Sequence, residues 1–244
     1  MADTSIRFHD KFLPDQPQHS DQFQGSREEY WSALYDTICR SSGIVDPYRE
    51  FDLATSDMFT VEEMASNPIP LRFIHLLLQL SGARRVLEIG AFIGLSAMSF
   101  ARALPPDGKV VSIEKFDKFA AVARENFRRN GLADKIDLRV GDANEVIGTL
   151  PKNQLFDFVF IDGDKGRYLD YFRMTDPLVA PGGLVIVDDV FFHGEAINPR
   201  PKTDKGQGVK RFLDAMSELK GYLRVALPLS NGMMLLRKDK PVQK

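Results

Sequence analysis

The chain has 244 residues, 43% of them hydrophobic, with 32 basic against 34 acidic side chains. That length and apolar content suit one α/β domain around a single core, and the near-neutral balance gives no electrostatic reason to expect nucleic acid or an anionic membrane as partner. A small molecule is the expected partner. The single cysteine, Cys39, excludes an intramolecular disulfide, and the opening MADTSIRFHDKF lacks the basic start and apolar run of a secretory signal, so a cytoplasmic location is expected. Apolar runs around 74–80 and 184–187 fall far short of the roughly 20 residues that span a bilayer.

Residues 1–25 are polar, contain Pro14 and Pro17, and show no apolar period, so a mobile arm is expected there, with residues 26–244 forming one domain. Ser26 and Glu29 make a capping box ahead of a helix whose face carries Tyr30, Trp31, Leu34, Tyr35 and Ile38, a packing surface that could also serve a homodimer. A second capping box, Thr60 with Glu63, and then Asn67-Pro68 before Leu71, Ile74, Leu77 and Leu78 predict two further helical pieces, ended by Ser81-Gly82.

Beyond Gly82, β-rich runs alternate with amphipathic ones. Strands are predicted at 86–90, 109–114, 136–140, 156–161 and 183–188, and helices at 95–104, 117–130, 143–149 and 166–179, with Pro181-Gly182-Gly183 turning the chain after the last helix. Repeated strand–helix–strand units imply a parallel sheet covered on both faces. After a helix near 207–220, YLRVAL and MMLLR flank PLSNG, where Asn231-Gly232 is a hairpin signal. The expected fold is α/β: a seven-stranded, mostly parallel sheet with an antiparallel hairpin at its C-terminal edge, helices on both faces and extra N-terminal helices.

RVLEIGAFIG puts Glu88, Gly90 and Gly94 where a buried strand turns into a helix, and glycine there lets backbone approach a ligand closely. The spacing is E-x-G-x-x-x-G, and Phe92 stands where a dinucleotide fingerprint has its second glycine, so a pyrophosphate seat is not expected. Glu114 closes the second strand about 20 residues further on, where a carboxylate can accept both ribose hydroxyl protons. The third strand ends in Gly141-Asp142-Ala143, making Asp142 and the Ala143 amide candidates for an adenine edge.

The fourth strand, FDFVFID, empties into Asp162-Gly163-Asp164-Lys165, and the fifth, GLVIVDD, into Asp188-Asp189. Adjacent strands lie about 4.8 Å apart, so Asp162 and Asp188 could share a cation, with Asp189 turned in by the strand's end. Oxygen-only ligands favour magnesium, calcium or manganese, and the scattered histidines show no zinc spacing. Gathered carboxylates raise one another's pKa, so either a metal or Lys165 must offset them; the alternative is a salt-bridged cluster that closes the sheet.

Together these motifs resemble the cation-dependent class I O-methyltransferases, the group that includes catechol and caffeoyl-coenzyme A O-methyltransferases. The resemblance covers roughly residues 58–238 and is carried by VLEIGAFIG, the strand ending at Glu114, GDA at 141–143, FIDGDK at 160–165 and VDDVFFHG at 187–194. It implies a Rossmann-like fold and an S-adenosylmethionine cofactor. Met64, Ser66, Glu88, Gly90, Phe92 and Ser96 would surround its methionine part, Glu114 would hold the ribose, Asp142 and Ala143 would frame the adenine, and Asp162 would lie beside it. The resemblance further implies Asp162, Asp188 and Asp189 as ligands of a divalent cation, magnesium first, and Lys165 as the base. Asp189 departs from the family's usual asparagine, which makes the site more acidic without removing a competent ligand.

By the same resemblance the acceptor is a catechol-like or vicinal-diol hydroxyl. A phenol of pKa about 10 is mostly protonated at neutral pH, and Lys165, with its own value about 10.4, can act as base only if that value is lowered, as a dication and partial burial are expected to do. Phe191, Phe192 and His193 read equally as a wall for an aromatic acceptor or as loop packing, and Glu195 to Gln207 as a surface insertion able to cover the site. Two other activities fit parts of the pattern. A hydroxylated RNA base could replace the small acceptor, though no basic excess supports it, and a nicotinamide-dependent oxidoreductase would leave DGDK unexplained.

Overall fold

The computed structural model describes residues 26–44, 50–54 and 67–241. The chain divides into two compact units, residues 1–45 and 46–244. The expected arm at 1–25, the Thr60/Glu63 capping box, Met64 and Ser66 all lie outside the described residues. In the first unit, α1 (Arg27–Ser41) begins at the expected capping box: the Ser26 amide donates to Glu29 Oε2 at 2.6 Å and the Glu29 amide to Ser26 Oγ at 3.2 Å. Of its apolar stripe, Trp31, Tyr35 and Ile38 are exposed.

In the second unit, α2 (Pro68–Ser81) starts on Asn67, whose side chain accepts the Ile69 amide at 2.9 Å, and stops at Gly82, left-handed at φ 63°. Then come β1 (Arg85–Ile89), α3 (Leu95–Ala103), β2 (Lys109–Glu114), α4 (Asp117–Arg129), β3 (Ile136–Val140), α5 (Ala143–Thr149) and β4 (Phe156–Ile161). A 3₁₀ turn (Lys165–Arg167) leads into α6 (Tyr168–Thr175), followed by β5 (Val179–Val187), α7 (Asp204–Ser217), β6 (Tyr222–Leu227) and β7 (Met233–Lys238). The described strands form a seven-stranded sheet in the order β3-β2-β1-β4-β5-β7-β6. Every pair from β3 to β5 is parallel, and β7 runs antiparallel to both neighbours, so the C-terminal hairpin forms the edge, with β6 outermost.

Strand alternation sorts the core into two layers. Leu87, Ile89, Val159, Ile161, Val185 and Val187 face one side with Tyr168, Phe172 and Phe212 of α6 and α7. Val86, Phe158, Phe160 and Ile186 face the other with Ile74, Leu78, Phe100 and Phe127 of α2, α3 and α4. The chain leaves β1 in one direction and β4 in the other, so the crevice opens at the C-terminal ends of these two neighbours, the place where open α/β sheets bind ligands.

The structure corrects three predicted boundaries. The helix expected at 166–179 is broken at both ends. It begins as the 3₁₀ turn and ends at Thr175, because Pro177 has no amide to donate back into the helix, and the chain continues as a short 3₁₀ turn over Asp176–Leu178. Pro181-Gly182-Gly183 does not separate helix from strand; it lies inside β5 as a bulge, the pairing jumping from Phe156 opposite Val179 to Phe158 opposite Leu184. Finally, α7 starts at Asp204, which shortens the predicted insertion to residues 195–203. That segment folds on Glu195, whose Oε1 accepts the Lys202 and Thr203 amides at 2.7 and 2.6 Å.

Where β1 turns into the crevice, Gly90 adopts φ 100°, and a Cβ there would sit 2.3 Å from the Asp162 carbonyl oxygen. Only glycine lets the β1 and β4 ends meet this closely. Gly90→Ala is expected to lower unfolding free energy by about 2 kcal/mol or more in urea titration, and a loss under about 0.5 kcal/mol would contradict the contact.

Candidate active site

A cavity of about 690 Å³ opens at the C-terminal ends of β1, β2, β4 and β5. Of the residues singled out in the sequence, Gly90, Phe92, Ser96, Glu114, Ala143, Asp162, Lys165, Asp188 and Asp189 line it. Glu88 and Asp142 do not, and Met64 and Ser66 are outside the described residues. One end of the cavity is built from turns that display backbone, the other from side-chain charge.

At the first end, Glu114 accepts the Phe92 amide on Oε2 at 2.8 Å and the Phe116 amide on Oε1 at 2.9 Å, so the end of β2 holds the β1–α3 turn in place. Each oxygen keeps a lone pair for a hydroxyl donor. Phe92 is left-handed at φ 49°, a costly conformation for an aromatic residue, and its ring packs edge-on against Phe119 at 4.8 Å. Ala143 and Gly141 line this end, whereas the Asp142 carboxylate turns away: Oδ1 caps α5 through the Asn144 amide at 3.1 Å, and Oδ2 takes Arg167 at 2.7 Å and Lys115 at 3.3 Å. The Arg167 bond holds the Asp142 carboxyl below its usual range.

Glu88 sits behind the cavity wall, fully buried. Burial pushes its carboxyl up to about 7. Ser112 donates to Oε2, and the Ser96 hydroxyl is close enough to offset part of the shift, but Oε1 has no hydrogen-bond partner. A buried, unsatisfied carboxylate oxygen costs about 1–3 kcal/mol or more, which suits a site that receives a donor from elsewhere.

At the other end, Lys165 Nζ bridges Asp162 Oδ1 at 2.7 Å and Asp189 Oδ2 at 3.1 Å. Asp189 reaches inward because its backbone is left-handed (φ 55°), a conformation aspartate tolerates, and its amide donates to Asp188 Oδ1 at 2.9 Å. Burial, reinforced by repulsion from Asp162 and Asp189, lifts the Asp188 carboxyl to about 8; burial also raises Asp162. Beneath them lies Tyr168, wholly buried, its hydroxyl without a hydrogen-bond partner and its ring centroid 5.7 Å from Lys165 Nζ.

Burial works on Lys165 in the expected direction, but without a dication at the carboxylates the net direction is upward. Desolvation does work against its charge, but Asp162 and Asp189 outweigh it and hold the ammonium above its ordinary value. Among the described residues, no three histidine, cysteine or acidic side chains are already drawn around one point as metal ligands. The donor set nevertheless suits a hard cation: three carboxylates face a single ammonium, leaving negative charge that burial makes costly.

The two aromatic readings divide. Phe192 and His193 line the cavity on a left-handed stretch (φ 41° and 54°), while Phe191 packs over Gly232, where a Cβ would lie 2.3 Å from its ring. Sequence reasoning missed Asn67, Tyr171, Lys205, Ser230 and Asn231, all cavity-lining. Asn67 and Asn231 were visible only as a helix cap and a turn residue, and nothing local marks Lys205.

A sequence model of the O-methyltransferase family matches residues 45–239, and the chain belongs to that family. It is 36% identical over 143 residues to a catechol O-methyltransferase of Niastella koreensis, an alignment that covers 58% of this chain and just 65% of that relative's length. Over 182 residues it is 36% identical to a catechol O-methyltransferase of Mycobacterium tuberculosis, covering 75% of this chain and 82% of the relative. Among solved structures, the O-methyltransferase TomG of Streptomyces achromogenes, in complex with SAM, matches with a TM-score of 0.74 at 29% identity, covering 88% of this chain and all of that one.

The raised Glu88 carboxyl has a consequence for stability. Between its ordinary value of 4.5 and about 7 the folded state holds a proton that the unfolded state releases, so stability falls as pH rises through this window. Glu88→Gln should flatten that slope and raise the stability of the ligand-free protein at pH 8 by a few kcal/mol at most, since each tenfold change in proton affinity is worth about 1.4 kcal/mol. Denaturant titrations from pH 4 to 8 that give parallel curves for both proteins would disprove the assignment.

Proposed function

We propose that the protein is an S-adenosylmethionine-dependent, divalent-cation-dependent O-methyltransferase that acts on one hydroxyl of a catechol-like small molecule. The observation that carries this reading is the half-buried cluster of Asp162, Asp188 and Asp189 around Lys165, placed at one end of a cavity whose other end offers Glu114 and the glycine turn. The SAM-bound TomG structure and the two catechol O-methyltransferases support the cofactor and the acceptor class.

In this reading Glu114 accepts the ribose hydroxyls, Ala143 and Gly141 meet the adenine, and Gly90, Phe92 and Ser96 surround the methionine, with Glu88 behind that wall rather than in contact. Met64 and Ser66 belong to the same proposal. Asp162, Asp188 and Asp189 would hold the cation, which supplies a Lewis acid that favours the ionised acceptor hydroxyl. Lys165 keeps its proton while Asp162 and Asp189 face it. With those carboxylates engaged as ligands, Lys165 would lose the contacts that hold its proton, would release that proton to solvent, and as a neutral amine would accept the acceptor hydroxyl's proton. The cofactor, when bound, would supply the methyl group, the acceptor oxygen bonding to its carbon as the sulfur–methyl bond breaks, and Phe192 and His193 would limit water at this end.

Labelled-methyl transfer to catechol should require magnesium and vanish with chelator; activity that survives chelation would refute the cation dependence. Lys165→Met is expected to cut kcat by about 10²–10⁴-fold while leaving cofactor affinity, read by calorimetry, near wild type. Asp189→Asn should remain active and shift only the magnesium concentration for half-maximal rate, since an amide oxygen is still a ligand.

A further inference from the structure

Three lysines line the cavity, and they differ in what they face. Lys115 pairs with Asp142, and Lys165 with Asp162 and Asp189, whereas Lys205 has no ion pair among the described residues. The end of its own helix disfavours a cation, and the adjacent Asp204 makes no ion pair with it among the described residues. Lys205 stands exposed in the first turn of α7, two residues after the cap residue Thr203, where the helix end carries partial positive charge and prefers anions.

Its place is also set firmly. Gly208 of α7 lies against the turn that carries Lys165, so closely that a Cβ at 208 would be 2.4 Å from Gly166 Cα and 2.6 Å from the Lys165 carbonyl oxygen. Arg211 adds a bond to the Gly166 carbonyl at 3.3 Å, and a Cβ at Gly166 would lie 4.0 Å from the Asp204 carbonyl oxygen, at the peptide that leads into Lys205. The first turn of α7 and the Lys165 turn therefore move as one piece, which holds Lys205 at a set offset from the reacting end.

We propose that Lys205 binds a carboxylate on the acceptor, so that the substrates of this site are catechol-like acids whose anionic group lies away from the methylated hydroxyl. The inference rests on the reading of the cavity's acidic end as the place of the reacting hydroxyl. With that end taken by the acceptor's hydroxyls, an anionic group elsewhere on the acceptor meets Lys205, the cavity-lining lysine without an ion pair among the described residues. A lone ammonium is a point charge matched to a monoanion; no arginine among the lining residues supplies the planar fork that phosphate sites use.

The test compares 3,4-dihydroxybenzoate and 3,4-dihydroxycinnamate with their neutral amides, by calorimetry on the protein loaded with S-adenosylhomocysteine and magnesium and by kcat/KM for methyl transfer. At least one acid should bind about tenfold more tightly than its amide, the advantage should shrink in high salt, and Lys205→Met should bring the ratio near one, with the change in KM rather than kcat. Equal affinity for acid and amide in the wild type, or a ratio that survives Lys205→Met, overturns the proposal. Tighter binding of a matching phosphonate overturns the assignment to carboxylates. Methylation of neutral catechol is scored separately: its absence counts against the proposed function, while the acid-to-amide ratio in binding still decides the role of Lys205.

Discussion

Negative charge crowded at two neighbouring strand ends is the constraint around which this site is built. Asp162 ends β4 and Asp188 ends β5, the next strand over, and Asp189 follows in a left-handed turn, so one buried and two half-buried carboxylates share one region. Two like charges 4 Å apart repel by about 4 kcal/mol even at an effective dielectric of about 20. One ammonium, Lys165, offsets part of this by bridging Asp162 and Asp189, and the Asp188 carboxyl is raised by its burial first and by the remaining repulsion second. Such an arrangement is poor as a structural staple and well suited to receive a positive ligand.

The surrounding fold serves to hold that charge against the cofactor end. Gly90 lets the β1 turn touch the Asp162 carbonyl, and Glu114 ties that same turn to its own loop, one oxygen on the Phe92 amide and the other on the Phe116 amide, so the two ends of the cavity are gauged against each other through backbone. On the far side, Gly208 brings α7 onto the Lys165 turn, and Tyr168 and Phe212 pack edge-on beneath it at 6.1 Å. Residues far apart in the chain thus act on one short turn.

Much of this is legible in the sequence because period and punctuation are local. The five parallel strands, the hairpin at Asn231-Gly232 and the Ser26 and Asn67 helix starts follow from alternation, glycine and capping chemistry. Local signals mislead where two of them compete. Pro181-Gly182-Gly183 is a turn signal by composition, yet pairing with β4 on one side and β7 on the other absorbs it as a bulge, since ladder hydrogen bonds outweigh a local kink. Residues 204–206 carry no apolar period, so the sequence pattern places the start of α7 late; Thr203 capping the Gly206 amide at 3.0 Å decides it.

From its own residues the chain determined which strand tips carry acid and where the backbone must pass close to a ligand, because those depend on residue type and spacing within one strand–turn–helix unit. Only the tertiary structure decided that Glu88 is sealed behind the wall, that Asp142 is spent on Arg167 and Lys115, that Phe192 faces the cavity while Phe191 does not, and that Lys205 joins it. Each of these turns on a neighbour distant in sequence. A side chain's charge state and direction are set by the groups packed against it, and no local pattern encodes which groups those will be.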